Sequence, residues 1–101
     1  MSAQLEDKMR AKSNLRFKEA SELADTVRES GSLKNKKDLE QLLNIIFGLL
    51  AGISQPIIAL RIHEDSELAT MCEALEIVFK TVDEIIGKVK TKLGEAEPVN
   101  S

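Results

Sequence analysis

The sequence contains no tryptophan and no tyrosine, and only three phenylalanines among its 101 residues. Its single cysteine excludes an intramolecular disulfide, so the chain does not resemble a small secreted scaffold held together by disulfides. The first residues, MSAQLEDKMRAK, are too polar and too acidic for a signal peptide. These absences favour a cytoplasmic protein with an aliphatic core.

The sequence also lacks the residue combinations on which most active sites depend. One histidine, His63, and one cysteine, Cys72, cannot supply a nucleophile, its base and the third group that orients the base. The five glycines form neither a G-x-G-x-x-G pattern nor a phosphate-binding P-loop. His63 and its neighbouring carboxylates lack further ligands at the spacing of a metal site. We therefore predict no enzyme activity, no cofactor and no bound metal.

The charge balance argues against a nucleic-acid binder, because such proteins usually carry a basic surplus and stacking aromatics. The net charge is −3, although 31% of the residues are charged. Residues 1–41 have a net charge of +1 and residues 61–101 a net charge of −4, while residues 42–60 carry no charge at all. A 19-residue uncharged segment therefore separates two highly charged parts of the chain.

The spacing of the apolar residues predicts an all-α fold with a single domain over residues 14–93. Residues 1–13 are expected to form a charged tail or a frayed helix, and residues 94–101 a second tail. We predict helices at about 14–30, 36–62 and 66–93, with Gly31 ending the first. Pro56 should kink or break the second helix. The second and third helices are expected to form a long antiparallel αα-hairpin, with the first helix at its periphery.

The third helix carries the clearest pattern in the sequence. Its apolar residues are spaced alternately by four and three positions, which is the a/d spacing of helices packed in bundles. The residues are Leu68, Cys72, Leu75, Phe79, Val82, Ile86, Val89 and Leu93. The pattern predicts that these side chains share one buried face.

The second helix has a narrow strip of polar or small residues and a wide apolar arc. The strip contains Lys37, Gln41, Asn44, Gly48, Gly52 and Gln55. The arc covers roughly 220° at 100° per residue, whereas a surface helix needs an apolar stripe of only somewhat more than about 100°. Because soluble monomers rarely expose a large aliphatic patch, we expect a second copy of the chain or a lipid bilayer to cover part of the arc.

The sequence therefore predicts a small, non-enzymatic helical interaction protein, in the manner of an adaptor, a regulator or inhibitor, or a chaperone. It would bind proteins through aliphatic helix faces as the homodimer of a helical bundle. The alternative is a small membrane-inserting protein of the pore or lysis type, with residues 42–60 spanning the bilayer. The candidate residues for the dimer or partner interface are Leu42, Leu43, Ile46, Phe47, Leu49, Leu50, Ile53, Ile57, Leu68, Leu75, Phe79, Val82 and Ile86.

Overall fold

A computed structural model describes residues 2–31 and 33–96, and within those ranges the chain is helical and contains no strand. Helix α1 spans Ser2–Glu29, α2 spans Lys36–Gly52, α3 spans Ser54–Ala59 and α4 spans Asp65–Ala96. The prediction of an all-α fold is confirmed. Gly31 follows α1 with a φ of +76°, a left-handed conformation that suits glycine and commonly ends helices.

The helices lie side by side in a bundle of 57 × 18 × 18 Å, in which α2 and α3 together make one rod. Helix α1 packs against α2, α3 and α4, and α2 packs against α4. Asn35, just before α2, donates a hydrogen bond from Nδ2 to the carbonyl of Lys92 near the end of α4, at 3.2 Å. Helices α2 and α4 therefore run in opposite directions.

Helix α1 differs from the prediction in both its length and its position. It begins at Ser2 rather than near Asn14, so the stretch expected as a tail or frayed helix makes its first turns. It also forms a complete third side of the bundle instead of lying at the periphery. The residues of α1 that face the core follow the same alternation of threes and fours as α4. They are Glu6, Met9, Ser13, Arg16, Ala20, Leu23 and Val27, all of them buried or half-buried.

Helix α4 follows its predicted pattern. Six of the eight residues with a/d spacing are buried, and Cys72 and Leu93 are half-buried. The helix continues through Gly94 to Ala96, because a glycine inside a helix costs only about 1 kcal/mol and does not prevent the next turn. The remainder of the predicted C-terminal tail, residues 97–101, lies outside the described residues.

The break between α2 and α3 lies at Ile53, three residues before the proline that causes it. Pro56 has no N–H, and its ring also crowds the carbonyl four residues earlier in a helix. That carbonyl belongs to Gly52, the last residue of α2. The rod continues beyond the break because Ile57 donates its backbone N–H to the carbonyl of Ile53, at 3.0 Å.

Candidate interaction surface

The thirteen residues predicted as an interface lie in the core of the single chain or against it. Leu42, Phe47 and Leu49 are half-buried and pack against the core. The other ten are buried: Leu43, Ile46, Leu50, Ile53, Ile57, Leu68, Leu75, Phe79, Val82 and Ile86. Helix α1 provides the cover, because it packs on both α2 and α4 along the wide arc.

The polar strip of the second helix lies on the opposite side of the rod, in solvent. All six of its residues are exposed, from Lys37 to Gln55. Gly48 and Gly52 have no heavy atom within 4 Å of the position that a Cβ would occupy. Neither glycine is therefore required for a close contact within the chain.

This solvent side carries no charge between residues 42 and 60. We call its exposed residues the uncharged face, and they are Asn44, Ile45, Gly48, Ala51, Gly52, Ser54, Gln55, Pro56 and Ile58. Ile45 and Ile58 are 51% and 49% exposed. At 100° per residue they lie on opposite flanks of the face, with the two glycines between them. The same helical spacing places the half-buried Leu49 next to Ile45 and the half-buried Phe47 next to Ile58.

The stretch Lys36–Ala59 is long enough and apolar enough to cross a membrane, and no other helix among the described residues is. The core helix of a soluble protein can pass the same test, but such a helix is mostly buried. Here only 28% of the apolar window is buried within the chain. A large part of this rod is thus both uncharged and open.

The side of the bundle formed by α1 and α4 has the opposite character. Arg16 binds Asp83 through two parallel bonds, from Nε to Oδ1 and from Nη2 to Oδ2, both at 2.9 Å. The central carbon of the Arg16 guanidinium, Cζ, lies 4.7 Å from the centre of the Phe79 ring, within the range of a cation–π contact. Two further ion pairs join the helices, Lys12 with Glu76 and Glu19 with Lys90. Since α1 and α4 residue numbers rise together along these pairs, the two helices are parallel.

A buried carboxylate holds the start of α1 to the residues that follow the α2–α3 rod. Glu6 is 2% exposed and accepts a hydrogen bond from Arg61 Nε, with 2.6 Å between nitrogen and Oε1. Arg10 pairs with the other carboxylate oxygen. Burying a carboxylate is costly unless charged donors compensate it, and two arginines do so here. The sequence did not predict this cluster. A core position in a helix is recognised by an apolar residue at the helical spacing, and Glu6 occupies such a position with a charged side chain.

Phe17 on α1 is apolar, yet 52% of its surface is exposed. Its ring meets that of Phe47 edge to face, with the ring centres 5.3 Å apart. Such pairs are favourable beyond the area they bury. This ring contact joins α1 to α2 next to the uncharged face.

The residues with potential chemistry do not come together. His63 Nδ1 lies 3.2 Å from Glu67 Oε1 on the surface, and Cys72 is half-buried on α4. No group of three or more His, Cys, Asp or Glu side chains that could hold a metal ion occurs in the part of the chain that the structure describes.

Comparison with known proteins adds no relative. No protein-family model matches the chain, and no curated protein and no solved structure is significantly similar to it.

Proposed function

We propose that this chain is a small, non-enzymatic protein of the cytoplasm that acts by binding protein, in the first instance a second copy of itself. As in the sequence-based hypothesis, the role would be that of an adaptor, a regulator or inhibitor, or a chaperone. The dimer would be a helical bundle in which the α2–α3 rods of two chains lie together.

One observation carries this proposal: the uncharged face is exposed in a chain of which 31% is charged. An isolated exposed isoleucine needs no explanation, but an uncharged surface that runs from residue 44 to residue 58, with an exposed isoleucine on each flank, suits a binding site. The half-buried Leu42, Phe47 and Leu49 extend it with aliphatic and aromatic area. Of the thirteen predicted interface residues, these three are the ones with accessible surface for a partner.

The test is the mass of the particle in solution. The chain, of 11.2 kDa, would be expressed without detergent and measured by light scattering after size exclusion over a range of concentrations. We expect a mass near twice that of the chain at high concentration. A monomer at every concentration would contradict the proposal of a homodimer.

A membrane-inserting protein is the second candidate, because Lys36–Ala59 has the length and the apolarity of a spanning helix. Insertion would require α1 and α4 to move away from the rod so that its buried leucines and isoleucines face lipid. The break at Ile53 and the exposed Asn44 and Gln55 count against it, since unpaired polar groups are costly in a bilayer. Recovery of the protein only from the membrane fraction would favour this candidate.

A further inference from the structure

The shape of the uncharged face suits another helix. Gly48 and Gly52 place no side chain at its centre, and no heavy atom lies within 4 Å of the positions that Cβ atoms would occupy there. A second backbone can therefore approach closely there, as it does at other helix crossings that contain small residues. Ile45 and Ile58 stand on the two flanks and would pack on either side of the approaching helix.

The polar groups on the face favour protein over lipid. Among the described residues, the side chains of Asn44 and Gln55 have no hydrogen-bond partner within the chain, whereas the Ser54 hydroxyl already donates to the carbonyl of Ala51 at 2.9 Å. A partner helix with amides at the same positions can pair with both. A lipid chain can pair with neither, and a polar group left without a partner in an apolar environment costs free energy.

The two ends of the rod carry opposite charges. Around the start of α2, the basic Lys34, Lys36 and Lys37 outnumber the acidic Asp38 and Glu40. After α3, the acidic Glu64, Asp65 and Glu67 outnumber the basic Arg61. Two copies laid side by side in the same direction would bring lysines against lysines. Two antiparallel copies would bring the basic end of each against the acidic end of the other, which favours association and fixes the register.

We propose that the uncharged face binds the same face of a second copy, with the two rods antiparallel and related by a two-fold axis that crosses the interface at the level of residue 50. This assignment rests on the self-association proposed above and names its surface. With the axis at that position, Gly48 lies opposite Gly52 of the second copy, and Lys36 lies at the end where the second copy carries the turn with Glu64. A two-fold interface must be self-complementary in this way.

The area of the face indicates a dimer that dissociates on dilution. Residues 41–59 span about 28 Å at 1.5 Å per residue, and a helix with its side chains is about 10 Å across. The two copies together would bury roughly 600 Å² through this face, which is the size of a weak, transient contact. A single unfavourable side chain at the centre should therefore have a large effect.

The central experiment compares Gly48→Lys with Gly87→Lys. Both glycines are exposed inside helices and have open space where a side chain would begin, so neither change should disturb the folded chain. Only Gly48 lies on the uncharged face. We expect sedimentation equilibrium to show the dimer dissociation constant rising at least about tenfold for Gly48→Lys, because a lysine is buried without a partner, and staying within about twofold for Gly87→Lys. Circular dichroism and thermal unfolding of both variants would verify that they fold.

The orientation is tested by exchanging charges. In low salt, Lys36→Glu and Glu64→Lys should each raise the dissociation constant about fivefold, because each change makes two contacts repulsive in a two-fold dimer. The chain that carries both changes should recover the original constant. A parallel arrangement would not show this recovery, since the two sites would then lie at opposite ends of the dimer.

The possible outcomes separate this inference from the proposed self-association. A dimer that tolerates Gly48→Lys as well as it tolerates Gly87→Lys would overturn the assigned surface and leave the homodimer intact. A wild-type chain that is monomeric at every concentration would overturn both. A monomer that sediments with phosphatidylcholine–phosphatidylglycerol vesicles and loses this binding in Gly48→Lys would show that lipid occupies the face, which also overturns the assignment.

Discussion

Two sides of one bundle handle charge in opposite ways. Where α1 meets α4, the charged side chains pair with each other across the helices, as Arg16 does with Asp83. On the outer side of α2 and α3 there is no charge between residues 42 and 60, and the exposed surface there consists of glycine, alanine, serine, proline, amides and isoleucine. The charged side chains of the first side pair within the chain, whereas the second side leaves an uncharged surface exposed to solvent. The absence of charge, as much as the residues present, is what distinguishes the face that we propose as a binding surface.

The largest expected difference between the two sides concerns their phenylalanines. Phe79 is 1% exposed beneath Arg16 in the core between α1 and α4, whereas Phe17 lies half exposed at the junction of α1 and α2. Phe79→Ala should lower the free energy of unfolding by about 3–5 kcal/mol, because it leaves a large cavity. Phe17→Ala should cost only about 1 kcal/mol, mainly through the lost ring pair with Phe47. Urea unfolding of both variants measures the difference, and equal losses would mean that Phe17 is part of the core.

The buried carboxylate tests whether pairing within the chain is essential. Removing both Arg10 and Arg61 by substitution with alanine leaves Glu6 buried without these two donors and should cost about 3 kcal/mol. Glu6→Leu should cost much less, because both arginines are about half exposed and can be hydrated again. The comparison is made by thermal unfolding at neutral pH. A Glu6→Leu variant as unstable as the double arginine variant would show that the carboxylate itself, and not its compensation, holds α1 in place.

Much of this fold could be predicted from the sequence where apolar residues mark the positions that face the core. In α4 every position of the a/d pattern is apolar, and the predicted face is the buried one. The division of α2 into a polar strip and an apolar arc also follows from the sequence, and the structure shows the strip in solvent. Both patterns depend on the repeat of the helix alone, so neither requires knowledge of the neighbouring helices.

The first half of α1 could not be predicted in the same way. Its core-facing positions include Glu6, Ser13 and Arg16, and a search for apolar residues passes over them. They are tolerated because arginines on α1 and at the end of α3 compensate Glu6, and because Asp83 and Phe79 accommodate Arg16. The consequence for the candidate site was large. Once α1 extends along the whole bundle, it covers the aliphatic arc, and the residues expected to meet a partner become the core.

A smaller loss of stability is expected when the ion pair between Arg16 and Asp83, on the side where α1 meets α4, is removed. Arg16→Ala should lower the free energy of unfolding by about 1–2 kcal/mol, the sum of a partly exposed bidentate pair and a cation–π contact. Arg28→Ala is the matched control, because Arg28 pairs with Asp25 within one helix while both remain largely exposed, and it should cost less than about 0.5 kcal/mol. Unfolding in low and high salt separates the two contributions, since salt screens the ion pair more than the ring contact. Equal effects of the two changes would mean that Arg16 contributes no more than an ordinary surface charge.

The smallest effect is the most informative about the uncharged face. Gly48→Ala and Gly87→Ala each place a methyl group in open space on an exposed helix, so each should stabilise the diluted monomer by about 0.5–1 kcal/mol. The two variants should be indistinguishable by thermal unfolding at concentrations where the chain is monomeric. At high concentration they should differ, because the added methyl group at Gly48 would hold two facing backbones apart while the one at Gly87 would meet only solvent. If the two variants behave alike at every concentration, the glycines of the uncharged face have no role in association.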